Sequence, residues 1–72
     1  MTLREKLEQL TNEELKSIMQ EHIDWEANNF VPEDAQLRAL SKEHYSDDAL
    51  LMLDHVASEA FRVYALRAAG MR

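Results

Sequence analysis

The chain has 72 residues, no cysteine and a net charge of −6. This length allows one domain at most, and the lack of cysteine excludes disulfide bonds and thiolate metal sites. A single Gly, a single Pro and 46% hydrophobic residues argue against a β-rich fold and against disorder. We expect one helical domain over residues 1–72, with a small core that needs close helix packing or oligomerisation.

Two capping-box sequences mark the first two helices. Residues 2–5 and 11–14 both read Thr-x-x-Glu, in which the Thr and Glu side chains can bond the first backbone N–H groups of a helix. We therefore predict a short first helix and a second helix from about Asn12, with a bend at residues 10–11. One long helix running through Thr11 is the alternative.

The middle of the chain contains the only Pro. The second helix carries an apolar stripe that includes Leu15 and Ile18, and the Asn pair at 28–29 is expected to end it. Pro32 suits the first position of a helix, so we predict that it opens a short third helix to about Tyr45. This helix has the weakest apolar stripe in the chain.

The last third of the chain predicts one long helix. Ser46 is the expected N-cap, and Tyr45 is expected to pack on Leu50 as a hydrophobic staple. The helix would run to about Ala69, where Gly70 can adopt the left-handed capping conformation.

The apolar surface of this final helix spans roughly half its circumference or more, which is wide for a single neighbour. The remaining stripe is polar and is expected to face solvent; it comprises His55, Ser58, Glu59 and Arg62. We predict an all-α bundle of four helices, the first one short, around the long C-terminal helix. The three other stripes are too narrow to cover that helix fully, which favours self-association as a homodimer.

The negative charge lies entirely in the first half. Residues 1–36 hold three basic and nine acidic side chains, whereas residues 37–72 hold five of each. Direct binding to nucleic acid is therefore not expected, although an acidic face can attract a basic partner or imitate a phosphate backbone. The ordinary alternative is that these acids only keep the surface solvated. The acids of this candidate partner-binding face are Glu13, Glu14, Glu21, Asp24, Glu26, Glu33 and Asp34.

No combination of residues predicts catalysis, a cofactor site or a metal site. The Glu-x-x-His element of di-iron bundles is absent, and no Ser lies in a nucleophile elbow. His22 and His44 fall on apolar stripes. If both were buried, acid would loosen the fold, because protonating a buried imidazole is costly. The alternative is that each is a neutral imidazole bonded to a backbone carbonyl or hydroxyl.

A second candidate contact surface is apolar. Trp25 lies at the edge of its stripe, Phe30 lies in a loop, and Val56 and Val63 lie on the wide surface of the last helix. Packing in the core is the alternative for the aromatic residues.

These patterns favour a small, acidic, non-enzymatic interaction module that binds and regulates a larger protein and self-associates. Without a signal peptide or membrane span, it is expected to be cytoplasmic and not to bind membranes. The alternative function is a phage- or mobile-element-type inhibitor of nucleic-acid machinery, whose acidic face mimics DNA and occupies a basic nucleic-acid-binding surface.

Overall fold

A computed structural model of the chain describes residues 1–71, and this part contains helices but no strand. α4 packs against all three other helices, which confirms the predicted all-α bundle around the C-terminal helix. Nowhere within residues 1–71 does a helix have both the length and the apolar character needed to cross a membrane. The helices are α1 (Leu3–Glu8), α2 (Asn12–Asn28), α3 (Gln36–Tyr45) and α4 (Leu53–Ala68), with a 3-10 turn at Ser46–Asp48 before α4.

Both predicted capping boxes are present. The Thr2 hydroxyl accepts the N–H of Glu5, and the Glu5 carboxylate accepts the N–H of Thr2; residues 11 and 14 form the same reciprocal pair. α1 therefore ends before residues 10–11 and α2 starts after them, as predicted. The alternative of one continuous helix through Thr11 is wrong.

Arg67, in the last turn of α4, holds the bend between α1 and α2. Its guanidinium donates to the carbonyl oxygens of Glu8 at 2.8 Å and Leu10 at 2.8 Å, and to the Asn12 side chain at 3.0 Å. The carbonyls at the end of a helix lack partners within the helix, so Arg67 supplies donors where they are needed. This contact ties residues more than fifty positions apart.

α3 begins at Gln36, not at Pro32 as predicted. Pro32 is instead the first residue of a turn, and its carbonyl oxygen accepts the N–H of Ala35 at 3.1 Å. Ala35 has no side chain that could cap the helix. The cap comes from α2, where the two carboxylate oxygens of Glu21 accept the N–H groups of Gln36 at 3.1 Å and Leu37 at 2.9 Å. A carboxylate at a helix N-terminus satisfies free donors and opposes the positive end of the helix dipole.

α4 begins at Leu53, not directly after Ser46 as predicted. Ser46 has φ of 48°, whereas an N-cap residue normally has an extended backbone. The Ser41 hydroxyl, fully buried, donates to the carbonyl oxygen of Ala49, which would accept the N–H of Leu53 if the helix continued. The side chain of Ser41 in α3 therefore occupies the carbonyl oxygen that an earlier start of α4 would need for its own backbone hydrogen bond.

The predicted staple between Tyr45 and Leu50 does not form. Leu50 is 54% exposed, and Tyr45 packs edge-on against His55 with ring centroids 5.9 Å apart.

The C-terminal end of α4 agrees with the sequence prediction. Gly70 has φ of 73°, and the N–H groups of Gly70 and Met71 donate to the carbonyls of Arg67 and Leu66 in a complete Schellman motif.

The core lies where α4 meets the other three helices. The small side chains of Ala57 and Ala60, both buried, allow the neighbouring helices to approach α4 closely. Larger side chains fill the space around them, and those exposed by less than 2% include Leu7, Leu15, Ile18, Leu37, Leu53 and Val56.

Removing the cap supplied by Glu21 should destabilise the protein. We expect Glu21→Ala to lower the free energy of unfolding by about 1 kcal/mol, the usual cost of losing a helix N-cap. Urea denaturation followed by circular dichroism measures this change. Asp24→Ala is the matched control, because within residues 1–71 Asp24 bonds only to the exposed side chain of Gln20 on the same helix. Equal losses in both variants would contradict the role assigned to Glu21.

Arg67→Ala should lower the free energy of unfolding by about 1–2 kcal/mol, because three hydrogen bonds from a charged donor are lost. Arg62→Ala is the control, because it removes the same positive charge about one and a half turns earlier in α4. The Arg62 side chain is 63% exposed, and its Nε lies 3.8 Å from Oε2 of Glu59. That control should stay within about 0.5 kcal/mol of the wild type. The two variants can be compared in the same denaturation experiment.

The first capping box should be sensitive to acid. The pKa of Glu5 lies below its usual value of 4.5, because its carboxylate accepts a hydrogen bond from the Thr2 backbone and interacts with the Thr2 side chain. A lowered folded-state pKa means that the box contributes to stability above the unfolded-state pKa and loses this contribution as pH falls through the folded-state pKa. Carboxyl NMR titration should give a midpoint below 4.5 for Glu5, and Thr2→Ala should raise that midpoint.

Candidate protein-interaction surface

An open apolar groove runs between α2 and α4. It encloses about 400 Å³ and is lined on the α2 side by Met19 and Ile23 and on the α4 side by Ala57 and Phe61. The helices are antiparallel here, since His22 of α2 contacts Asp54 near the start of α4, whereas Lys16 lies over the ring of Tyr64 near its end. We call this surface the α2–α4 groove.

Two large side chains on the rim of the groove are unusually exposed. Ile23 is 55% exposed and Phe61 is 59% exposed, although both belong to the apolar stripes of their helices. Each lies at the edge of its stripe, beyond the reach of the neighbouring helix. Along the groove, the large apolar side chain of α4 that the other helices leave uncovered is therefore Phe61.

Neither residue was singled out as a contact residue in the sequence analysis. The available signal was their position at the margin of a stripe, which does not decide whether a neighbouring helix reaches them. That outcome depends on how closely α2 and α4 approach, and hence on tertiary packing.

Val56 and Val63 do not belong to a contact surface, and their prediction as partner-binding residues is corrected. They are 0% and 2% exposed and lie in the core of the chain itself. Helices α1 to α3 cover this part of α4 more completely than their narrow stripes implied, because α4 packs against all three.

Trp25 and Phe30 line a second recess, which shares no residue with the α2–α4 groove. Phe30 is 65% exposed, whereas Trp25 is partly buried against the core. The recess encloses about 270 Å³ and also includes Arg38 and Leu50. The predicted core role thus fits Trp25 better than Phe30.

The two candidate pH-sensitive histidines have different surroundings. His22 lies at one end of the groove, with Nε2 2.6 Å from Asp54 and Nδ1 3.6 Å from Glu26. His44 is partly buried, and its Nδ1 lies 3.1 Å from the carbonyl oxygen of Leu40. The hypothesis that acid loosens the fold required both imidazoles to be fully buried, whereas both are only partly buried, so its condition is not met.

The predicted acidic face does not form a uniform free surface. Glu14 and Glu21 bond backbone N–H groups, as described above, and therefore act in the fold. Asp24 accepts a hydrogen bond from Gln20 at 3.1 Å. The other acids of the predicted face are exposed on α2 or in the turn before α3, namely Glu13, Glu26, Glu33 and Asp34.

Across residues 1–71, no group of three or more His, Cys, Asp or Glu side chains is arranged to hold a metal ion. The groove lining is mostly apolar, with His22 and Asp54 at one end. Comparison with protein-family models, curated proteins and solved structures gave no significant match for this chain.

Proposed function

We propose that this chain is a non-enzymatic protein-interaction module whose contact surface is the α2–α4 groove. The observation that carries the proposal is the exposure of Ile23 and Phe61 on the rim of one apolar groove. Clustered apolar side chains of this size are costly to leave in water, and a partner that covers them gains their burial. Regulation of a larger protein through this contact stays a prediction from the sequence.

The shape of the groove favours a helical partner surface. Two helices present Met19, Ile23 and Phe61 along a shallow channel, and an apolar helix face can lie in such a channel. The groove lining is mainly apolar, with His22 and Asp54 at one end to orient the partner. These features support helix-to-groove packing.

The alternative of a DNA-mimicking inhibitor has less support. Such a mimic needs a continuous series of free carboxylates, yet Glu14 and Glu21 are engaged in helix caps. The remaining acids are divided between α2 and the segment before α3. The groove, rather than the acidic surface, therefore supports the function proposed here.

Site-specific photo-cross-linking in the cells that produce the chain tests this proposal. The photoreactive residue p-benzoylphenylalanine is placed at position 61, in the groove, or at position 51, where Leu51 is 81% exposed and outside the groove. We expect discrete protein adducts from position 61 and none from position 51. Adding Ile23→Glu to the position-61 variant should abolish the adducts, because a charge would be buried in an apolar contact.

No adduct from position 61, or the same adducts from both positions, would contradict the proposed function. Far-UV circular dichroism of each variant confirms that the helices remain folded. The mass of an adduct also distinguishes another protein from a second copy of this chain.

A further inference from the structure

We propose that α3 and the segments before and after it form a binding site for a small organic acid. Arg38 and Lys42 bind the carboxylate of this acid, and its apolar part lies against Trp25 and Phe30. The site combines two adjoining recesses. One is the recess lined by Trp25 and Phe30, which we call the aromatic recess; the other is lined by Arg38, Lys42 and Ser46, and we call it the basic recess.

The basic recess holds two positive side chains without a carboxylate partner among residues 1–71. Arg38 and Lys42 lie four residues apart on α3, so both extend from the same face of the helix. Neither forms an ion pair in the described part of the chain, whereas Arg4 and Lys16 each pair with a Glu. The hydroxyl of Ser46, four residues after Lys42, adds a hydrogen-bond donor to the same recess.

Arg38 is held between the two recesses. Its Nη1 donates to the carbonyl oxygen of Val31 at 3.2 Å, and its side chain is partly buried. Arg38 and Leu50 line both recesses, so the recesses adjoin at these residues. A guanidinium has five N–H donors, and the bond to Val31 therefore leaves others for a carboxylate. A bound acid thus passes from its charged end to its apolar part at Arg38.

The aromatic recess suits the apolar part of such a ligand. Phe30 is 65% exposed and Leu50 is 54% exposed, and both line this recess together with Trp25. A ligand that covers these side chains gains the burial of their apolar surface. The basic and aromatic recesses enclose about 320 Å³ and about 270 Å³, and binding sites for small molecules begin at about this size. The dimensions therefore favour a small molecule over a folded partner.

The charge of the basic recess favours a ligand with one negative charge. Glu33 also lines this recess, so the two positive side chains and this one negative side chain give a net charge of +1. A second anionic group on the ligand would be repelled by Glu33, whereas a monocarboxylate balances the recess. Carboxylates also match the planar fork of a guanidinium and can form two parallel hydrogen bonds with it. A monocarboxylate is therefore expected to bind more tightly than a phosphate dianion.

Fluorescence titration of the purified chain with 4-phenylbutyrate tests the inference. Trp25 is the only Trp of the chain, so its emission reports on the aromatic recess. We expect saturable binding with a dissociation constant of roughly 1 mM or below. Three matched probes each change one feature: butyrate lacks the ring, 4-phenylbutan-1-ol lacks the charge, and 4-phenylbutylamine reverses it. Each should bind about fivefold more weakly or worse, and amide NMR shifts caused by 4-phenylbutyrate should concentrate at the two recesses.

Lys42→Gln should weaken the binding of 4-phenylbutyrate by about fivefold or more, because one of the two carboxylate-binding charges is lost. The same variant should leave the binding of 4-phenylbutan-1-ol within about twofold, and Lys42→Arg should retain the binding of the acid. Lys16→Gln is the matched control, because it removes the same charge from α2, outside both recesses. Phe30→Ala should weaken the acid and the alcohol alike, because both cover the exposed ring of Phe30.

This site is independent of the proposed function, because the α2–α4 groove shares no lining residue with either recess. Far-UV circular dichroism of each variant confirms that the helices remain folded. No binding at about 10 mM 4-phenylbutyrate, or equal affinity for the acid, the alcohol and the amine, would overturn the inference. Equal effects of Lys42→Gln and Lys16→Gln, or NMR shifts centred on the α2–α4 groove, would overturn it as well.

Discussion

The burial of α4 against three helices at once is the constraint on which this structure depends. Chains this short bury little surface, so one helix has to serve as the shared core of the whole bundle. Its small residues Ala57 and Ala60 let the neighbouring helices come close, and Leu53, Val56 and Val63 fill the space around them. α1 is only six residues long and α3 only ten, so neither is expected to persist without this packing.

Polar contacts between helices then place the connections between them. Glu21 of α2 begins α3, and Arg67 of α4 holds the bend between α1 and α2. Arg4 of α1 pairs with Glu59 of α4 at 3.1 Å, with both side chains partly buried. Because each contact joins distant parts of the chain, these bonds form fully only when the apolar core has brought the helices together.

The groove is what this packing leaves uncovered. α4 turns most of its apolar surface inward, but Phe61 lies beyond the reach of α2, and Ile23 lies beyond the reach of α4. The packing of α2 on α4 therefore leaves an open apolar channel with His22 and Asp54 at one end.

Local chemistry in the sequence determined the helical class, the two capping boxes, the bend at residues 10–11 and the glycine cap at Gly70, because each depends on residues within one or two turns. Only the tertiary structure decided where α3 and α4 begin, since Glu21 and Ser41 act on them from other helices. The same holds for the candidate site: Trp25 and Phe30 line a recess outside the groove, and Val56 and Val63 lie in the core. Ile23 and Phe61 could not be identified, because side chains at the edge of an apolar stripe are buried or exposed according to how near the next helix lies.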